Sequence, residues 1–212
     1  MRKTDFQNGE FYHLYNRGVD KRSIFTDNND FSRFLQSMDE FNVIEPIGSI
    51  YENSFIQKID KVMAQQKLVR FVSYCLNANH YHFLVEQVSD QGIEKFMHRL
   101  STGYTKYFNS KFYRTGSLFQ GRYKAKYVDS NKYLLYLSSY INLNNQVHRL
   151  GSSTSKSSWE EFVWEDDVSN FCHKNIILDQ FKNKNEYKLF AEEALQIILS
   201  NRETFEEVEF GS

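Results

Sequence analysis

Two histidines one residue apart, His80 and His82, stand in the stretch Asn79-His80-Tyr81-His82. An apolar, β-branched and aromatic run, Leu68 to Leu76, precedes them and Phe83-Leu84-Val85 follows. Turn-like Asn77-Ala78-Asn79 lies between, so the pattern predicts a β-hairpin over residues 68–87 whose second strand opens on the histidines. Side chains alternate along a strand, which puts both imidazoles on one face and Tyr81 and Phe83 on the other, toward a core. Imidazoles spaced about 7 Å along a strand can converge on one metal ion. On spacing alone, a pair of ordinary polar residues on a half-exposed strand is the plainer reading, because His-x-His is short and common.

A second cluster of chemistry is basic and aromatic. From Lys95 to Val128 there is no acidic residue, and Lys106, Arg99, Arg114, Arg122, Lys124 and Lys126 alternate with tyrosines and phenylalanines. Basic side chains neutralise phosphates and aromatic faces stack on unpaired bases, so these six residues are candidate DNA contacts. A solvated basic face balanced by acids elsewhere is the plainer alternative. The whole chain carries a formal charge of only −1, which by itself points to no partner.

The elements that must position these groups follow the chain. Phe11 to Tyr15 reads as a strand, ended by Asn16-Arg17-Gly18. Asp30 is expected to cap a helix from Phe31 to Phe41, and residues 55–66 could be helical. Asp90 is expected to cap a helix over Gly92–Asn109, with Ile93, Phe96, Met97, Leu100, Tyr104 and Phe108 as its apolar stripe and Gly103 allowing another backbone to approach. Gly121 to Val128 alternates as a strand, with Arg122, Lys124 and Lys126 on one face. Ser130 can cap a helix from Asn131 to Leu143, buried through Leu134, Leu137 and Ile141. Tyr140 and Asn144 are neighbours if that helix persists. Ser152 to Ser158 looks linker-like, acids return at Glu160–Asp167, and a last amphipathic helix spans Asn185–Ser200. The domain reading is therefore residues 1–151 for the chemistry and 152–212 for a linker and helical extension. Two distant cysteines outside any metal-spacing motif, no membrane-length apolar run and no signal-peptide pattern fit a reduced, cytoplasmic protein.

Several of these stretches, in this order, resemble one family. Phe11-Tyr12-His13-Leu14-Tyr15-Asn16-Arg17-Gly18, Asn79-His80-Tyr81-His82-Phe83-Leu84, Phe119-Gln120-Gly121-Arg122-Tyr123 and Tyr140-Ile141-Asn142-Leu143-Asn144 are similar to the single-tyrosine transposases of the HUH superfamily. That family comprises insertion-sequence enzymes and their REP-associated relatives. The resemblance implies an α+β fold, an antiparallel sheet flanked by helices and ferredoxin-like in topology. It implies a transposase that cleaves and rejoins single-stranded, hairpin-bearing DNA through a 5′-phosphotyrosine link. Tyr140 would be the nucleophile; His80, His82 and Asn144 would hold Mg2+ or Mn2+. The protein would act either as a homodimer, as insertion-sequence members do, or as a monomer like some REP-associated ones. The family usually has Met-Pro where this chain has Asn77-Ala78, and a proline at Asn145; both departures are expected to touch loop rigidity more than chemistry. Two other classes stay open on the residues alone: a DNA-hairpin-binding protein without turnover, and a zinc hydrolase with Glu86 beside the histidine pair.

Overall fold

The computed structural model describes residues 5–55, 66–148, 150, 154–164 and 171–200. Most of the stretch 55–66, and Glu165–Asp167, lie outside them. In chain order the elements are β1 (Phe11–Arg17), α1 (Asn28–Glu40), α2 (Ile50–Asn53), β2 (Val69–Asn77), β3 (His80–Gln87), α3 (Gly92–Lys111), β4 (Lys124–Tyr127), α4 (Asn131–Asn142), α5 (Asn144–Val147), β5 (Ser155–Ser157), α6 (Trp159–Val163), α7 (Asn175–Leu178) and α8 (Lys184–Ser200).

The sheet is antiparallel in the order β4-β1-β3-β2-β5. Its first four strands, interleaved with α1 and α3, give the ferredoxin-like arrangement expected from the sequence. Alternation along the strands divides the core in two. One face carries Tyr12, Leu14, Phe71, Leu76, Tyr81, Phe83 and Val85 against α1 and α3. The opposite face carries Val72, Cys75 and Leu84 against α4 and the C-terminal helices, through Leu137, Ile141, Phe162, Tyr187 and Leu195. His80 and His82 share this second face, and Tyr81 and Phe83 the first, as their spacing predicts.

Helix boundaries correct several expectations. α1 starts at Asn28 because Asp27, not Asp30, caps it, accepting from the Asp30 amide. Asp30 is buried instead, where its carboxylate accepts from Thr26 and Tyr107 and pairs with Lys111. α3 has no side-chain cap at Asp90; it begins after Gln91, which sits at φ 58°. Ser130 does cap α4, accepting from the Tyr133 amide. Gly103 admits a close neighbour, but that neighbour is the Phe41 ring rather than a backbone: a Cβ there would stand 2.5 Å from it.

The linker-like serine stretch is corrected too. Ser155–Ser157 is an edge strand paired with Cys75–Asn77. Serine-rich composition says loop, but an open edge on β2 offers backbone partners that composition does not reveal. Beyond it, Tyr187 of α8 closes a network across α4. Asn142 Nδ2 donates to the Tyr187 hydroxyl at 3.0 Å, Ser138 bonds the same hydroxyl at 3.2 Å, and Ser158 donates to Asn142 Oδ1 at 2.6 Å. The expected helical extension is thus seated on the tyrosine-bearing helix.

Candidate active site

Sheet register builds the site. Directly opposite residues of an antiparallel pair point to the same face. β1 sets Tyr15 beside His82 and Arg17 beside His80; β4 sets Lys126 beside His13 and Lys124 beside Tyr15; β2 sets Asn77 beside His80. One row therefore runs across four strands with lysines at one end and histidines in the middle. α4 lies over it and carries Tyr140, whose ring centroid is 5.8 Å from that of His82 and 6.4 Å from that of His13. α4 ends at Asn142, and after Leu143 the short α5 turn brings Asn144 in, so the one-turn spacing from Tyr140 survives the break. Tyr140 is buried, at 6% exposure, where a semi-exposed side chain would be expected of a nucleophile awaiting a polymer substrate.

His80 and His82 have ring centroids 5.2 Å apart. Burial pushes the pKa of His80 down to about 3, helped by nearby His148, and holds His82 well below the usual histidine range. Both are therefore neutral at pH 7, the state in which an imidazole offers a lone pair. The tautomer of His80 follows from its neighbours. Asn79 Nδ2 donates to the Lys21 carbonyl, which turns Asn79 Oδ1 toward His80 Nδ1 at 2.6 Å. Nδ1 thus carries the proton and Nε2 the lone pair. His80 Nε2 stands 3.2 Å from Asn144 Oδ1, also an acceptor. On the other ring, His82 Nδ1 is 2.9 Å from His13 Nε2, which leaves Nε2 as the coordinating candidate.

These donors suit a divalent metal. Two neutral imidazoles and one amide oxygen converge, and Asn144 Nδ2 is buried without a hydrogen-bond partner among the described residues, so the amide is held by its oxygen side. Among the described residues, no three His, Cys, Asp or Glu side chains are placed to hold a metal together. Glu86, the acid a zinc hydrolase would need, is bound instead to Arg70 at 2.6 Å.

Sequence reasoning missed His13, Asn77 and His148. His13 is buried, its pKa driven down to about 3 by desolvation and by the positive charge of Lys126, and its ring stacks 4.8 Å from Tyr15. His148 packs edge-on against His80 at 4.8 Å. Only His13 carried a visible signal, its alternation with Tyr15 on the first strand.

The six basic candidates separate. Lys124 and Lys126 lie on the site face of β4, exposed, with their ammonium groups 6.0 Å from the Tyr15 ring centroid and 4.9 Å from that of Tyr133. The expected strand Gly121–Val128 shortens to Lys124–Tyr127, which leaves Arg122 in the preceding turn. There it lines a small concavity with Tyr15, Asn16, Arg17, Gln120 and Lys124. Arg99 binds the carbonyls of Val43 and Ile44, and Arg114 binds Asn109 Oδ1 and the Ser117 carbonyl. Lys106 lines a cleft of about 540 Å³ between α1, the 41–50 loop and α3, behind the sheet from the histidines. Only Lys124, Lys126 and Arg122 thus neighbour the histidine row.

Residues 49–146 match the model of the family described as "Transposase IS200 like". The chain is also similar to a solved structure described as "Structure of the REP associates tyrosine transposase bound to a REP hairpin". That match has a TM-score of 0.52 and 12% identity and spans 81% of this chain and 94% of the other, a likeness of fold. No curated protein matches the sequence. The family resemblance read from the sequence, and its α+β fold, are borne out.

Proposed function

We propose that this chain, an IS200-like transposase over residues 49–146, cleaves and rejoins single-stranded DNA with Tyr140 as nucleophile. The observation that carries the reading is the meeting of Tyr140 with His80, His82 and Asn144 on one sheet face, from three separate elements. Tyr140 Oη attacks a backbone phosphorus; the Tyr–O–P bond forms and the bond to the 3′ oxygen breaks. The phenol loses its proton and the departing 3′ oxygen gains one. The phosphotyrosine conserves the phosphodiester for rejoining, so no external energy source is required.

His80, His82 and Asn144 would hold Mg2+ or Mn2+, which when bound polarises and orients the scissile phosphate. Asn79 fixes the His80 tautomer and His13 steadies His82. Lys124, Lys126 and Arg122 attract the DNA backbone toward this face. The named structural relative was bound to a REP hairpin, which makes hairpin-bearing single strands the substrate class to try first. Tyr140 and the histidines meet within one copy of the chain, so the reading requires no second subunit. A hairpin-binding protein without turnover is the alternative, and covalent chemistry separates the two.

The test incubates the protein, with Mn2+, with the labelled single strands that flank its own gene and runs the products on a denaturing gel. A label migrating with the protein is expected. It should vanish in Tyr140→Phe and persist in Tyr133→Phe and Tyr136→Phe. Adduct that survives in Tyr140→Phe refutes the assignment of the nucleophile.

A further inference from the structure

Asn77 closes β2 and is fully buried, and in the register it faces His80 on one side and Ser155 on the other. Its Nδ2 donates to Asn144 Oδ1 at 2.6 Å and lies 2.9 Å from His80 Nε2. Because His80 Nδ1 holds the proton, Nε2 is an acceptor, so the two hydrogens of one amide nitrogen satisfy two of the three proposed ligand atoms. Those two acceptors stand 3.2 Å apart, a separation that repels unless something positive lies between them. The Asn77 amide nitrogen supplies that positive edge here. On its other side, Asn77 Oδ1 accepts from the Cys75 thiol, at 3.6 Å.

We propose that Asn77 is a switching fourth member of the metal site: its N–H groups hold His80 and Asn144 in place without a cation, and its Oδ1 joins them as a ligand with one. This rests on the metal reading above. The exchange needs one rotation about the Cβ–Cγ bond, which swaps amide oxygen and nitrogen within nearly the same volume. Cys75 tolerates both orientations, because a thiol is a weak donor and its sulfur a weak acceptor. The consequence concerns metal choice. Two imidazoles and one amide oxygen form a nitrogen-rich set suited to zinc and its neighbours. A second amide oxygen moves the set toward hard, oxygen-preferring ions such as Mn2+ and Mg2+. Asn77 is thus a residue setting specificity for the ion, at a position where the sequence showed only a turn.

The experiment is calorimetric titration of the full-length protein with Mn2+ and, separately, Zn2+, with near-ultraviolet circular dichroism reporting the fold. Asn77→Leu keeps the volume and removes both amide atoms; it should weaken Mn2+ binding at least 10-fold and Zn2+ binding less. Asn77→Asp keeps an oxygen and adds charge, and should bind Mn2+ more tightly than the parent; it decides the matter if the leucine variant does not fold. Unchanged or tighter Mn2+ binding in folded Asn77→Leu overturns the proposal, tighter binding showing that the amide only competes with the ion. Weaker binding in Asn77→Asp overturns it as well. His82→Ala separates the premise from the inference. If the parent binds no Mn2+, or binds it equally in His82→Ala, the metal reading itself fails and this inference with it.

Discussion

Lowering the pH should unfold this protein through its buried histidines, well before its carboxylates titrate. His13 and His80 have pKa values pushed down to about 3, chiefly by burial, and His82 shifts the same way. In the unfolded chain each reverts to about 6.5. Between those values the unfolded state binds protons that the folded state does not, so stability is full above about 6.5 and falls as pH falls. For one such group, going from pH 7.5 to 5.5 costs roughly 1.4 kcal/mol, so His13 and His80 together cost about 3 kcal/mol and His82 adds to it. That is a large share of the 5–15 kcal/mol typical of a domain. The carboxylates do not confuse this window. Lys111 holds Asp27 and Asp30 below their usual value, so their contribution is lost only below about pH 4. The assay is urea unfolding followed by far-ultraviolet circular dichroism in metal-free buffer, at half-unit steps from pH 7.5 to 5. His13→Leu, which removes one titrating group and the bond to His82, should flatten the slope by about 1.4 kcal/mol per pH unit below 6. A parent protein equally stable at pH 7.5 and 5.5 would refute the neutral, buried cluster.

Two further outcomes test the periphery. Replacing Lys124 and Lys126 together with alanine should reduce the slope of log affinity against log salt for a single-stranded hairpin by up to about 1.4, whereas Arg99→Ala should leave the slope alone and lower the unfolding midpoint, since its guanidinium holds the Val43 and Ile44 carbonyls. Tyr187→Phe should destabilise the protein by about 1–3 kcal/mol in urea titrations, because Asn142 Nδ2 is left buried and unmatched.

The parts of the site legible in the sequence were those whose signal is local. His-x-His on a strand fixes a shared face by alternation alone, and Ser130 announces its helix through a cap three residues from its partner. His13 showed no more than its alternation with Tyr15, because its meaning comes from His82, 69 positions away. Asn77 was opaque for a related reason: beside Ala78 and Asn79 it reads as turn chemistry, while its side chain is held by α5. Asp27 and Asp30 are both competent caps, and the bond from Tyr107 to buried Asp30, again long-range, helped decide between them. Arg99 and Lys124 look alike as basic residues; only the fold shows that one binds backbone carbonyls behind the sheet and the other lies on the exposed site face.

The two outermost strands carry an implication for how the sheet ends. β4 has four residues and β5 three, with Lys124 and Lys126 on one and Lys156 on the other. Short strands bearing lysines are poor templates for another chain, because an incoming strand would gain few hydrogen bonds and would have to accommodate their charge. The sheet is therefore finite at both sides. The charges beside the histidine row also guard one edge against strand addition. Recognition is left to the faces and ends of the sheet, where the side chains lie.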